Sequence, residues 1–114
     1  MKKIFITGSE GFIGSHLAEL LVKKKFKVKA LVQYNAFNSW GWLETLDRSI
    51  LEKIEVVLGD IRDLNEMILH TKNQDAVIHL AALIGIPYSY TSPKNYIETN
   101  CLGTLNVMQA AKIN

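Results

Sequence analysis

Thr7-Gly8-Ser9-Glu10-Gly11-Phe12-Ile13-Gly14 joins an apolar run to an amphipathic one, and its glycines decide the fold. Upstream, Lys3-Ile4-Phe5-Ile6-Thr7 is short, β-branched and aromatic, the pattern of a buried parallel strand. Downstream, Phe12, Ile13, Leu17, Leu20 and Leu21 recur at helical spacing, with Glu19 and Lys23 on other faces. The glycines therefore fall where a strand turns into a helix. First-turn amides of a helix have no acceptor within it, and together with the positive end of the helix dipole they bind phosphate oxygens. On this reading Gly8 permits the tight turn, Gly11 lets the backbone approach a ligand, and Gly14 lets the helix pack close to the sheet. The spacing is G-x-x-G-x-x-G rather than the better-known G-x-G-x-x-G. Alone it is a weak signal; the flanking strand and helix supply the context it requires.

The remaining segments alternate in the same way. Strands are predicted over residues 3–7, 26–32, 54–58 and 75–80, and helices over 12–24, near 42–47, over 64–71 and from Pro93 onward. In the second strand Val28, Ala30 and Val32 share one face and Leu31 takes the other. Asp63 is placed to cap its helix with Glu66 as the reciprocal partner, and Ser92 to cap the last helix ahead of Pro93. That helix carries Ile97, Cys101, Leu105 and Met108 on one stripe, with Cys101 expected as a buried, inert thiol. Alternating β and α elements imply an α/β fold, a truncated doubly wound parallel sheet of strand order 3-2-1-4. Its ligand crevice would lie between strands one and four. Residues 1–114 read as one partial dinucleotide-binding domain of Rossmann type.

Thr7-Gly8 with Gly11-Phe12-Ile13-Gly14 resembles the extended short-chain dehydrogenase/reductase family, which includes nucleotide-sugar epimerases and 4,6-dehydratases. Gly59-Asp60-Ile61-Arg62-Asp63, His79-Leu80-Ala81-Ala82 and Asn100 with Gly103-Thr104 resemble that family's later motifs. The stretches from Leu31 to Leu43 and from Ile84 to Tyr90 are similar to NAD-dependent 4,6-dehydratases of nucleotide-activated N-acetylglucosamine. The resemblance implies that Asp60 accepts a hydrogen bond from an adenine amino group and that Ile61 packs on the ring. The alternative for Asp60 is a turn aspartate bonding its own backbone. Leu80, Ala81 and Ala82, at the end of strand four, would let ribose and phosphates pass over the backbone, or simply allow close helix–sheet packing. Phe12 and Ile13 are carried over as cofactor contacts with the loop's three glycines. Asn100, a poor helix former within a helix, implies a partner near the cofactor, unless it lies on the surface.

The end of strand two departs from the pattern. NAD-specific members place an acid there for the ribose 2′-hydroxyl. Here Val32, Gln33, Tyr34 and Asn35 occupy the region, and Gln33 or Asn35 would have to bind the ribose uncharged. NAD is favoured by the subgroup resemblance, with NADP not excluded. Tyr34, Trp40 and Trp42 form an aromatic cluster that either stacks on a ligand or packs as a satellite core. Pro87 to Tyr90 stand where the family's sugar approaches.

Composition narrows the partners. Forty-eight per cent hydrophobic residues suffice for a core, and a net charge of +2 gives no pull toward nucleic acid or membrane. One cysteine precludes an intrachain disulfide, and His16, His70 and His79 lack metal-ligand spacing. A cytoplasmic location is the default expectation. The resemblance puts a catalytic Ser/Thr and a Tyr-x-x-x-Lys pair well beyond residue 114; neither is expected here, so these residues alone are expected to be inactive. A nucleotide-sugar substrate is then a partner only if the missing half is supplied. The competing expectations are a nucleotide-binding module without turnover, a fragment complemented by another chain, and a self-associating fragment. A homodimer is expected through strand four, the last helix, or both.

Overall fold

The computed structural model describes residues 1–33, 39–81 and 91–114. Strand β1 (Lys3–Thr7) runs between β2 (Lys27–Val32) and β4 (Ala76–His79), and β3 (Ile54–Leu58) lies outside β2. All pairs are parallel, so the order β3-β2-β1-β4 is the one the alternation predicts. Register follows the hydrophobic pattern: Ile6 stands between Ala30 and Ile78, and Thr7 is level with His79.

β1 is buried on both faces because each face has its own helical cover. Ile4 and Ile6 join Val28, Ala30, Val32 and Ile54, packed beneath α1 (Phe12–Lys23) through Ala18, Leu21 and Val22. Phe5 points the other way, into a cluster with Leu31, Ile61, Met67, Val107 and Ala110. Side chains buried this fully contribute about 1.5–3 kcal/mol each relative to exposure. The split of Val28, Ala30 and Val32 from Leu31 is as expected.

Several local expectations are corrected. α1 buries Gly14, Ser15, Ala18, Leu21 and Val22, whereas Phe12, Ile13 and Leu20 stand largely exposed. The helix therefore packs through small residues in its first half and through Leu21 and Val22 in its second, and two of its large apolar residues are left at its open N-terminal end. The single helix expected near 42–47 is a 3-10 turn (Gly41–Thr45) followed by α2 (Arg48–Leu51). Leu43 and Trp40 pack into the first core cluster. At α3 (Leu64–Thr71) half of the capping box forms: Asp63 accepts the Glu66 amide at 3.2 Å. The Glu66 carboxylate turns instead to the Asp60 amide, 2.9 Å away.

The last helix starts as α4 (Pro93–Tyr96), becomes π-helical over Ile97–Gly103, and continues as α5 (Thr104–Ile113) with right-handed helical backbone at both junctions. Pro93 occupies the first turn as predicted, but the Ser92 side chain caps nothing. The rod buries Gly103, Val107 and Ala110. Ile97, Leu105 and Met108 face outward, and Cys101 is exposed with them. The buried-thiol expectation fails because small residues, again, make the close helix contact. A Cβ on Gly103 would lie 2.5 Å from Ile61 Cδ1.

Candidate functional site

The glycine loop closes on itself and on the sheet. Gly8 has φ +72°, and a Cβ there would lie 2.7 Å from the Ala81 amide nitrogen at the end of β4. A Cβ on Gly14 would overlap the Gly8 carbonyl oxygen. Gly8 is thus the glycine that meets the sheet and Gly14 the one that meets the loop, which corrects the role read for Gly14. Gly11 differs from both. Its φ of −76° suits any residue, and a Cβ there would meet only the Gly8 oxygen, at 3.3 Å. No side chain caps α1 and its first turn carries no acid, so its leading amides open beside Gly11, Phe12 and Ile13.

These residues line a cleft of about 620 Å³ at the carboxyl ends of the strands. Gly8, Gly11, Phe12, Ile13 and Gly14 form its floor, Gln33 stands after β2, Asp60 and Ile61 after β3, and Leu80 and Ala81 after β4. The predicted residues that fall in the described regions therefore converge, with one exception. Asn100 is half-buried in the π-helical segment, where its main-chain oxygen accepts the Thr104 hydroxyl; Asn95 and Thr99 face the cleft instead. Asn35, Ala82, Tyr34 and the Pro87–Tyr90 stretch lie outside the described residues. Trp42 sets its ring edge-on to Phe12, with centroids 5.1 Å apart, so this part of the aromatic cluster braces the cleft mouth.

Sequence reasoning missed Glu10, Arg62, Asn95 and Thr99, all of which line the cleft. The i, i+4 spacing of Asn95 and Thr99 was a usable signal. Arg62 doubles onto Asp60, with Nη2 2.6 Å from Oδ2, and reaches Glu98 at 3.6 Å. Its hydrogen bonds hold the Asp60 carboxyl below the usual carboxylate range. Asp60 also accepts the Arg62 amide at 2.9 Å, so the turn role and the cleft position coexist in one residue. Ile61 is buried against Gly103, which leaves its side chain to the core more than to the cleft.

The sequence does hold one Tyr-x-x-x-Lys spacing, Tyr90 to Lys94, contrary to the expectation of none. On a helix that spacing would stack the two side chains. Tyr90 lies outside the described residues; Lys94 pairs with Glu98 at 3.7 Å.

Below the cleft, β1, β4 and the last helix are tied by one directional chain of hydrogen bonds. The Thr104 hydroxyl donates to Asn100 O at 2.7 Å, so its oxygen accepts from His79 Nε2–H at 2.9 Å. His79 Nδ1 is then bare and accepts from the Thr7 hydroxyl at 2.7 Å. Thr7 Oγ1 in turn accepts the Leu80 and Ala81 amides at 3.0 and 3.2 Å. Every donor has an acceptor only while the imidazole is neutral, and burial also pushes the His79 pKa down. Burial and then Lys29 push His70 down as well. In the unfolded chain both imidazoles take up a proton near their ordinary pKa of about 6.5; in the folded chain they resist. Stability is thus complete above that value and is lost as pH falls below it. We expect the urea midpoint to drop between pH 7.5 and pH 5.5, and His79→Gln to flatten that slope; a pH-independent midpoint would contradict the neutral chain.

A glycine loop between the first strand and helix, the order 3-2-1-4 and a cleft at the switch point define a doubly wound fold of Rossmann type. The chain belongs to the GDP-mannose 4,6 dehydratase family, whose model matches residues 5–114. It is 36% identical over 110 residues to a UDP-N-acetyl-alpha-D-glucosaminuronate decarboxylase of Bacillus cytotoxicus, covering 96% of this chain and 33% of the relative. The structure of a UDP-N-acetylglucosamine 4-epimerase from Methanobrevibacter ruminantium, solved with UDP-N-acetylmuramic acid, matches with a TM-score of 0.83 at 31% identity, over 99% of this chain and 34% of that one. Bordetella bronchiseptica WbmH, solved with NAD+, matches with a TM-score of 0.74 at 37% identity, over 99% and 36%. The chain spans about a third of the length of the curated relatives it matches. Among the described residues, no helix is long and apolar enough to cross a membrane.

Proposed function

We propose that these residues form the NAD-binding part of an enzyme acting on nucleotide-activated sugars, and that the finer activity is a 4,6-dehydration. The observation that carries this is the open first turn of α1 beside Gly11, in a cleft wide enough for a dinucleotide. The fit is chemical as well as spatial: uncapped amides suit a pyrophosphate, and the carboxyl ends of β2 and β3 offer polar groups for a ribose and an adenine. NAD, when bound, supplies hydride-accepting chemistry. The chain's own residues bind and orient: the loop amides hold the phosphates, Gln33 and Asp60 position the adenosine side, and Leu80 and Ala81 leave the backbone approachable. In this reading the described cleft residues do no acid–base work on the sugar and bind without turnover. Calorimetric titration of the purified chain with NAD tests this. Saturable heat supports the reading, and its absence at millimolar ligand overturns it.

A second reading concerns assembly. The outward stripe of Ile97, Leu105 and Met108, each about half exposed or more (58%, 49% and 65%), is an apolar face on a rod that packs on the domain through Gly103, Val107 and Ala110. We propose that two copies bury these stripes against each other, in a homodimer that the sheet edge at β4 can extend. Light scattering at micromolar concentration should give twice the 12.9 kDa chain mass, and Met108→Glu should halve it; a monomeric wild type would refute this.

A further inference from the structure

We infer that Glu10 selects between the two nicotinamide dinucleotides, supplying from the glycine loop the carboxylate that β2 lacks. This rests on the NAD reading above and deepens it. β2 ends at Val32 and is followed by uncharged Gln33, where an acid would otherwise accept the adenosine 2′-hydroxyl. The Gln33 amide donates to Glu10 Oε2 at 2.6 Å, so a carboxylate does stand at the carboxyl end of β2, carried there by a different segment.

Glu10 is held in that place from behind. Its main-chain oxygen accepts the Trp42 amide at 2.8 Å. Gly41, at φ +56°, packs so closely that a Cβ there would lie 2.7 Å from the Glu10 oxygen and 3.0 Å from the Glu10 Cβ. The 3-10 turn after β2 thus clamps the base of the side chain and leaves its head toward the cleft, which Glu10 lines. Among the described residues, Glu10 Oε1 has no hydrogen-bond partner, and an ionised carboxylate oxygen accepts a hydroxyl well.

The charge around it excludes the alternative ligand. Among the described residues, the cleft is lined by two carboxylates, Glu10 and Asp60, against one guanidinium, Arg62. Arg62 is already committed to Asp60 and Glu98 after β3. A 2′-phosphate, carrying close to two negative charges at neutral pH, would meet the Glu10 carboxylate, and among the described cleft residues no uncommitted cation offsets it. A 2′-hydroxyl would meet an acceptor.

The test is to titrate the whole chain, and its Glu10→Gln variant, with NAD and with NADP. Glutamine keeps an acceptor for the Gln33 amide and removes the charge. Wild type should favour NAD by about tenfold or more, and Glu10→Gln should bring the two affinities close together, mainly by tightening NADP. The ratio within each protein corrects for any general loss of fold. Should Glu10→Gln fail to fold, wild type decides alone: its NAD-to-NADP ratio should shrink as salt rises, because the repulsion of the 2′-phosphate by the carboxylate is screened. An unchanged ratio in a variant that binds both overturns the role of Glu10 while leaving the dinucleotide site standing. A wild type that binds neither overturns the dinucleotide reading, and this inference with it.

Discussion

Gly14→Ala is expected to lower the melting temperature by on the order of 10 °C, although it adds a single methyl group. The added carbon would overlap the Gly8 carbonyl oxygen and come within 2.9 Å of Gly8 C and Ser9 Cα. These are backbone atoms, so no rotamer change relieves the contact. Nor can the loop retreat, because Gly8 is itself against Leu80 and Ala81 and the Ser9 hydroxyl is bonded to Ile6 O at 2.8 Å. Overpacking of this kind costs about 1–3 kcal/mol. That is a large share of the roughly 5–15 kcal/mol that holds a domain folded. A thermal melt of the variant checks it; a shift of a degree or two would show that the loop and α1 are not rigidly closed.

Gly11→Val is expected to do the opposite: leave the fold nearly intact and weaken NAD binding about a hundredfold or more. The backbone at Gly11 is already extended, and the nearest atom to a new Cβ is the Gly8 oxygen at 3.3 Å. A valine therefore needs only a few tenths of an ångström from the Gly8 oxygen, far less than Gly14→Ala demands, and the cost is about that of an unfavourable N-cap residue. Its branches would cover the open first-turn amides of α1, and a loss of about 2.7 kcal/mol of phosphate contacts is a hundredfold in affinity. The pair of melts and titrations separates two meanings of one motif. If Gly11→Val destabilises the chain as much as Gly14→Ala does, the loop is architecture; if it binds NAD as wild type does, the ligand lies elsewhere.

The strand order and the convergence of the glycine loop with Asp60, Leu80 and Ala81 were legible in the sequence for one reason. Strand and helix periods are local patterns summed over whole segments, and in a parallel sheet every strand's carboxyl end comes to the same edge. What escaped was the direction of single side chains. Phe12 and Cys101 look like core residues by type, yet Gly14, Ala18, Gly103 and Ala110 make the close helix contacts, because small residues let backbones approach. Glu10 escaped because it stands 23 residues from the amide it accepts, and only the fold brings the glycine loop beside the end of β2. The missing acid after Val32 was the one clue, and it pointed to the end of β2 without naming the residue that reaches there.

The π-helical turn makes the last helix an indexed shaft. Closing i to i+5, it rotates each residue through a smaller angle than an α-helix does, so the rod falls behind by roughly one residue's turn across Ile97–Gly103. That lag sets the phase between its two ends. With it, Asn95 and Thr99 are aimed at the cleft while Val107 and Ala110 are aimed at the core. A chain one residue shorter in this segment could close as plain α-helix, and one of the two ends would then point the wrong way. The extra residue is the spacer that lets a single straight element serve two surfaces that do not lie on one line.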